Sequence, residues 1–360
     1  MPESKNLRSN DPHLKRGERP ALEPTAQIFG CAEGKRPTLK TISRMTGLAV
    51  TTVSRALLDA PDIGSGTKKR VQETAIRIGY RPNRAGVGLR TGKTNVISLV
   101  LSTDHNVMNN TARLISSIAG TLQGTTYHMN VTPYFPTEDP MVPIRYIVET
   151  QSADAIILNQ IKPRDPRIAY LIERNFPFAA HGRSDWANNH AYYDFDNGRF
   201  GELAIDQLVQ RNRETILLVS PPMDQSYAQD FMSGAVSRGT DLGINIILME
   251  GTDSDSPATE IEAVVARHLS DTPKICGVIC ASTTSAMAAV SAIEDAGLFV
   301  GKDVDVFSKE AIPFLKRFRK PILTVHEDVE TAGNFLAKAV MQRITNPTKP
   351  PMQGLETPNF

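Results

Sequence analysis

Between Thr38 and Tyr80 the apolar residues fall into three short runs at helical spacing, joined by connections of a few residues, and this leaves the segment few ways to fold. Leu39, Ile42 and Met45 follow Thr38, whose hydroxyl suits an N-cap, and Gly47 supplies a left-handed stop. Gly47, Leu48 and Ala49 turn the chain into a second run, with Val53, Ala56 and Leu57 inward and Val50, Thr51, Thr52, Ser54 and Arg55 outward. A third helix is expected from Val71, Ala75 and Ile78, beginning after Gly64-Ser65-Gly66. Three such helices share one small core, and the spacing of the first two presents the second to a major groove.

Charge agrees with that reading. Lys35 to Asn95 holds thirteen basic residues against three acids, a net of +10. Residues 1–34 balance, so for a chain of net charge +1 the remainder from Val96 onward carries −9. A near-neutral total therefore conceals a basic head, of the sign that phosphate binding requires, on an acidic body.

From Val96 the pattern changes to alternating strand and helix. Strand runs are expected at 96–101, 127–134, 155–158 and 177–180, and again at 215–219, 244–249, 277–280 and 304–307, with amphipathic helices between them. Such alternation argues for parallel, doubly wound sheets in two halves, which enclose a cleft where they face each other. At 360 residues the chain suits two or three domains.

The head resembles the LacI family of sugar-responsive transcriptional regulators, through TLKTISRMTG, TTVSRAL, the helix ending IGYRPN and the linker LRTGKT, and the resemblance continues more loosely to the C-terminus. It implies a small all-α helix-turn-helix domain followed by an α/β two-lobed periplasmic-binding-protein-like domain with parallel doubly wound sheets. The expected divisions are a disordered tail over 1–36, the DNA-binding domain over 37–81, a hinge helix and linker over 82–94, and an effector-binding and dimerisation domain over 95–360. By this resemblance Val50, Thr51 and Arg55 read base edges, Thr52 and Ser54 hold phosphates, and Leu89 is a minor-groove wedge. The residue types suit those roles: Arg forks onto guanine, a Thr or Val methyl meets thymine, and hydroxyls donate to phosphate. Ala49 and Leu58 replace polar residues usual in the family, so no contact is assigned to them. Gly86 and Gly88 weaken the hinge helix, which is expected to fold only when two copies meet on DNA.

The effector is expected at the C-terminal ends of the strands, where polar residues follow apolar runs. The candidates are Ser102, Asp104, Asn159, His181, Arg183, Asp196, Tyr227, Thr283 and Glu310, the last falling where the resemblance places a sugar-binding carboxylate. The implied partners are a double-stranded DNA operator, a small sugar and a second copy of the chain. A repressor is expected, with a solute-binding receptor lacking a DNA role as the alternative.

The sequence signposts no catalysis. It holds no Walker loop, GxSxG elbow or HExxH helix, and GVGLRTG lacks the strand and spacing of a dinucleotide fingerprint. Cys31, Cys276 and Cys280 form no CxxC pair or zinc-type cluster, so no metal or cofactor is expected. No apolar run reaches the roughly 18 to 20 residues of a membrane span, and no secretory h-region opens the chain, so a cytoplasmic location is expected.

Overall fold

The computed structural model describes residues 36–81, 92–103 and 108–360, the side chains of 108–110 excepted. Residues 1–35 of the tail, residues 82–91 of the hinge and linker with Leu89, and Asp104 lie outside the described residues. The chain divides into two compact units, Met1–Asn83 and Arg84–Phe360.

In the first unit, α1 (Leu39–Thr46) is closed at its start by a reciprocal cap between Thr38 and Thr41, and at its end by Gly47 at φ +69°. The second helix, α2 (Val50–Leu57), starts at Ala49 with no side-chain cap. The third, α3 (Ser65–Arg77), starts immediately after Gly64, so Ser65 and Gly66 belong to its first turn instead of breaking the chain ahead of it. Ile42, Val53, Ala56, Val71 and Ala75 form the buried centre, flanked by Leu39, Leu48, Leu57, Ile63, Ile78 and Tyr80.

The second unit has two lobes. Strands β1 (Val96–Ser102), β2 (His128–Tyr134), β3 (Ala155–Leu158), β4 (Phe178–His181) and β5 (Ala191–Phe195) join β11 (Gln353–Glu356) in one sheet, ordered β11-β5-β4-β3-β1-β2. The second sheet holds β6 (Thr215–Val219), β7 (Asn245–Leu248), β8 (Gly277–Cys280), β9 (Asp305–Glu310) and β10 (Leu323–His326), ordered β10-β9-β8-β6-β7. All pairings are parallel, and VISLVLS, AIIL, TILLV and GVIC are buried on both faces as doubly covered strands must be.

Helices α4 (Met108–Leu122), α5 (Met141–Thr150), α6 (Pro166–Glu173) and α12 (Val329–Thr345) cover the first sheet. Helices α7 (Asn197–Val209), α8 (Ser226–Asp241), α9 (Ala258–Asp271), α10 (Thr283–Asp295) and the short α11 (Leu315–Phe318) cover the second. The chain crosses between lobes after β5, after β10 and after β11, where Phe360 stacks on Phe307 at 5.6 Å. Gly234 of α8 lies so close to the Gly198 backbone of α7 that a Cβ would collide with it.

Four strands departed from the expectation. β5, β10 and β11 were not foreseen, and β9 runs on to Glu310 beyond the expected end at 307, which decides which of its residues face the cleft.

Candidate functional site

In the head, the outward face of α2 carries exposed Val50, Thr51 and Arg55 beside half-buried Thr52 and Ser54. Its pose is set by its neighbours. The Ser43 hydroxyl donates to the Leu48 carbonyl at 2.6 Å, fixing the turn, and Arg70 of α3 donates to the Thr46 carbonyl at 2.9 Å, tying α3 to the end of α1. The result is a rigid polar ridge with apolar methyls at its N-terminal end and a guanidinium at its C-terminal end, a shape and chemistry fitted to a groove edge.

In the body, a cavity of about 140 Å³ opens where the strand ends of the two lobes meet. Thr111 and Leu114 of α4, Asn159-Gln160-Ile161 after β3, His181 and Gly182 at the end of β4, and Asp194 of β5 line one wall. Asn197, Ser226 and Tyr227 at two helix starts line the other, with Ser254, Asp255, Ala281, Ser282, Lys309 and, at a crossover, Glu327.

Three buried polar atoms on this lining make no hydrogen bond: Thr111 Oγ1, Asn159 Oδ1 and Ser226 Oγ. They come from both lobes. The loop that carries Asn159 is stiff, because Arg167, itself buried and paired with Asp165 at 2.7 Å, donates to the carbonyls of Asn159 and Gln160 at 3.0 and 2.8 Å. Gln160 also adopts φ +52°, a left-handed conformation held by those bonds.

The charged groups of the cavity are mostly engaged with one another. Lys309 donates to Asn197 at 2.8 Å, pairs with Glu327 at 3.0 Å, and lies over the rings of Phe195 and Tyr227 at 5.1 and 5.5 Å. Burial pushes the Glu327 carboxyl up, but the Lys309 ammonium beside it prevails and holds the group below the ordinary glutamate range. Burial drives His181 down, assisted by Lys309 against the pull of Glu327, so its imidazole is neutral at pH 7. Burial keeps the Tyr227 phenol protonated far above neutrality. Asp194 is pushed up to about 6, burial prevailing over its bond from Arg183.

Of the expected effector residues, Asn159, His181 and Tyr227 line the cavity. The five other described candidates have different surroundings. Arg183 sits behind the wall, bonded to Asp194 at 2.7 Å and to Asp230 of α8 at 3.1 Å, and so ties the lobes together. Asp196 caps α7 by accepting from the Arg199 N–H, and its neighbour Asn197 reaches the cavity instead. Thr283 opens α10, while Ser282, the cap of that helix, faces the cavity.

Glu310 lies off the cavity lining. Its carboxylate is buried and accepts the Phe314 and Leu315 N–H groups at 2.8 Å each, shaping the entry to α11, and Lys309 takes the cavity-facing place. Ser102 ends β1 outside the cavity lining. Sequence reasoning missed Lys309, Glu327, Ser226 and Arg167. Adjacent Lys309 and Glu310 on a strand were a usable signal, since only one of two neighbours can face the cleft. Among the described residues no group of His, Cys, Asp and Glu could hold a metal ion, and no helix is long and apolar enough to cross a membrane.

Residues 205–359 match the family model described as a periplasmic binding protein-like domain. The HTH-type transcriptional regulator AglR of Rhizobium meliloti (strain 1021) is 30% identical over 326 residues, covering 88% of this chain and 90% of the relative. Among solved structures, the lac repressor dimer bound to operator and the anti-inducer ONPF superposes with a TM-score of 0.78 at 19% identity, covering 90% of this chain and 97% of the other. A transcriptional regulator CelR–cellobiose complex superposes at 0.65 with 20% identity, covering 90% and 98%.

Proposed function

Since this chain belongs to the LacI family of DNA-binding transcriptional regulators, we propose that it is a cytoplasmic, homodimeric repressor whose operator affinity is set by a neutral carbohydrate held between the lobes. The observation that carries the ligand is the trio of unpaired buried atoms, Thr111 Oγ1, Asn159 Oδ1 and Ser226 Oγ. Each costs about 1–3 kcal/mol if left unsatisfied, and a ring bearing several hydroxyls supplies donors and acceptors to all three at once. They stand on both lobes, so a ligand that satisfies them also holds the lobes together.

The charges favour a neutral ligand. The cavity lining carries the carboxyl groups of Asp194, Asp255 and Glu327 against the single ammonium of Lys309, which Glu327 and Asn197 already engage. A phosphate or carboxylate would meet acids and an occupied cation. The similar CelR structure is a complex with cellobiose, which agrees with this ligand class.

On the DNA side, Val50, Thr51 and Arg55 read bases and Thr52 and Ser54 contact phosphates, with Leu89 as the hinge wedge. The ligand acts by population shift: closing the lobes changes the spacing at which two heads can engage one site. A thermal-shift screen of neutral mono- and disaccharides beside sugar phosphates tests the ligand class. Stabilisation by a neutral sugar is expected, and stabilisation by sugar phosphates alone would overturn it.

A further inference from the structure

We propose that Asp62 is a positioning residue that aims Arg55 at its base edge and so sets part of the DNA specificity. This rests on the reading of Arg55 as a base-contacting side chain. Arg55 lies in the last turn of α2, and its Nη2 lies 2.5 Å from Asp62 Oδ2 in the turn between α2 and α3.

A pair of half-exposed side chains ordinarily contributes little, because both ends wander. Here the backbone of one partner is fastened. The Arg55 carbonyl accepts the N–H of Leu58 at 3.2 Å and of Ala60 at 3.1 Å, closing the helix back on itself. Asp59 stands at φ +54°, and Lys68 reaches from α3 to its carbonyl at 3.2 Å and its carboxylate at 2.8 Å. Ile63, next to Asp62, donates to the Ala60 carbonyl at 3.2 Å and packs on the head's core. The carboxylate is therefore presented from a turn bound to the helices on both sides.

Two consequences follow from the chemistry. Asp62 occupies one edge of Nη2, which leaves the second Nη2 hydrogen, together with that of its neighbour on the free edge of the guanidinium, for a fork on the O6 and N7 of guanine. It also opposes capture of Arg55 by a backbone phosphate, since that would leave a carboxylate unpaired against the DNA backbone. Asp62 thus favours the base-reading pose over the phosphate-bound pose that sequence-independent binding uses.

The test uses the full chain, a high-affinity duplex selected from a randomised pool, and an unrelated duplex at the same salt. Arg55→Ala is expected to lose roughly tenfold or more of the preference at one base position. Asp62→Ala and Asp62→Asn are expected to lose about two- to fivefold at that same position. They should bind the unrelated duplex at least as tightly as wild type, with unchanged thermal unfolding. In the Arg55→Ala background, Asp62→Ala should cost no further discrimination. Wild-type preference in both Asp62 variants, or an equal loss with and without Arg55, would overturn the proposal while leaving the base-reading role intact. Full preference in Arg55→Ala would overturn both.

Discussion

Lys309→Met removes the cation that faces Glu327 and leaves a carboxylate in a nearly dry crossover. The two side chains are 10% and 12% exposed and 3.0 Å apart. Removing one partner of a buried pair costs about 3–5 kcal/mol, and because this pair borders a cavity that admits water, about 2–4 kcal/mol is expected at pH 7. Methionine keeps the stem volume and its contact with the rings of Phe195 and Tyr227, so the loss reports charge more than packing. The double variant Lys309→Met with Glu327→Gln removes both charges and should recover most of the loss.

The pH dependence carries a sign. In the wild type the folded Glu327 carboxyl lies below its ordinary value, so its contribution is present above that value and lost as pH falls through the folded one. Without Lys309, burial dominates and raises the carboxyl above its ordinary value. The defect of the single variant should therefore shrink between pH 7 and pH 5, while the double variant shows no such recovery. Denaturant unfolding of the full chain, followed by circular dichroism at both pH values, measures this. A loss under about 1 kcal/mol at pH 7, or a double variant as unstable as the single, would refute the reasoning.

Three other perturbations test separate links. Asn159→Leu removes an orphaned acceptor, so it should leave the unliganded protein as stable or about 1 kcal/mol more so, while abolishing stabilisation by sugar in a thermal-shift assay. Asp194 stands at about 6 in the folded chain, and its ionised form is the better acceptor for a sugar hydroxyl. Sugar affinity measured by calorimetry should therefore rise between pH 5 and pH 7, and Asp194→Asn should flatten that rise. Gly234→Ala drives a methyl into the Gly198 backbone and should destabilise the second lobe by about 1–3 kcal/mol in denaturant unfolding.

The head was legible because its signals are local. Thr38, Gly47 and the stripe of Leu39, Ile42 and Val53 act within a few residues, and each does in the structure what its chemistry suggests. Buried strands such as VISLVL and TILLV were equally plain, being continuous apolar runs. β11 was not, because Gln353-Gly354-Leu355-Glu356 has no apolar run and becomes a strand only by pairing with β5, some 160 residues away in sequence. The cavity fell between these cases. Sequence located the strand ends, but whether Lys309 or Glu310, Asn197 or Asp196, and Ser282 or Thr283 faces inward depends on pleat and cap geometry, which a shift of one residue reverses. Arg167 was invisible for another reason: it works by holding two carbonyls, and carbonyls leave no mark on sequence.

The central claim is that occupancy of the cavity between the lobes changes the affinity of the head for DNA. Operator affinity of the full chain should be measured by fluorescence anisotropy with and without saturating amounts of the sugar that stabilises it, at one fixed salt concentration. A change of about 5- to 150-fold is predicted for the wild type, with none in Asn159→Leu. Equal operator affinity with and without a sugar that demonstrably binds would contradict the account.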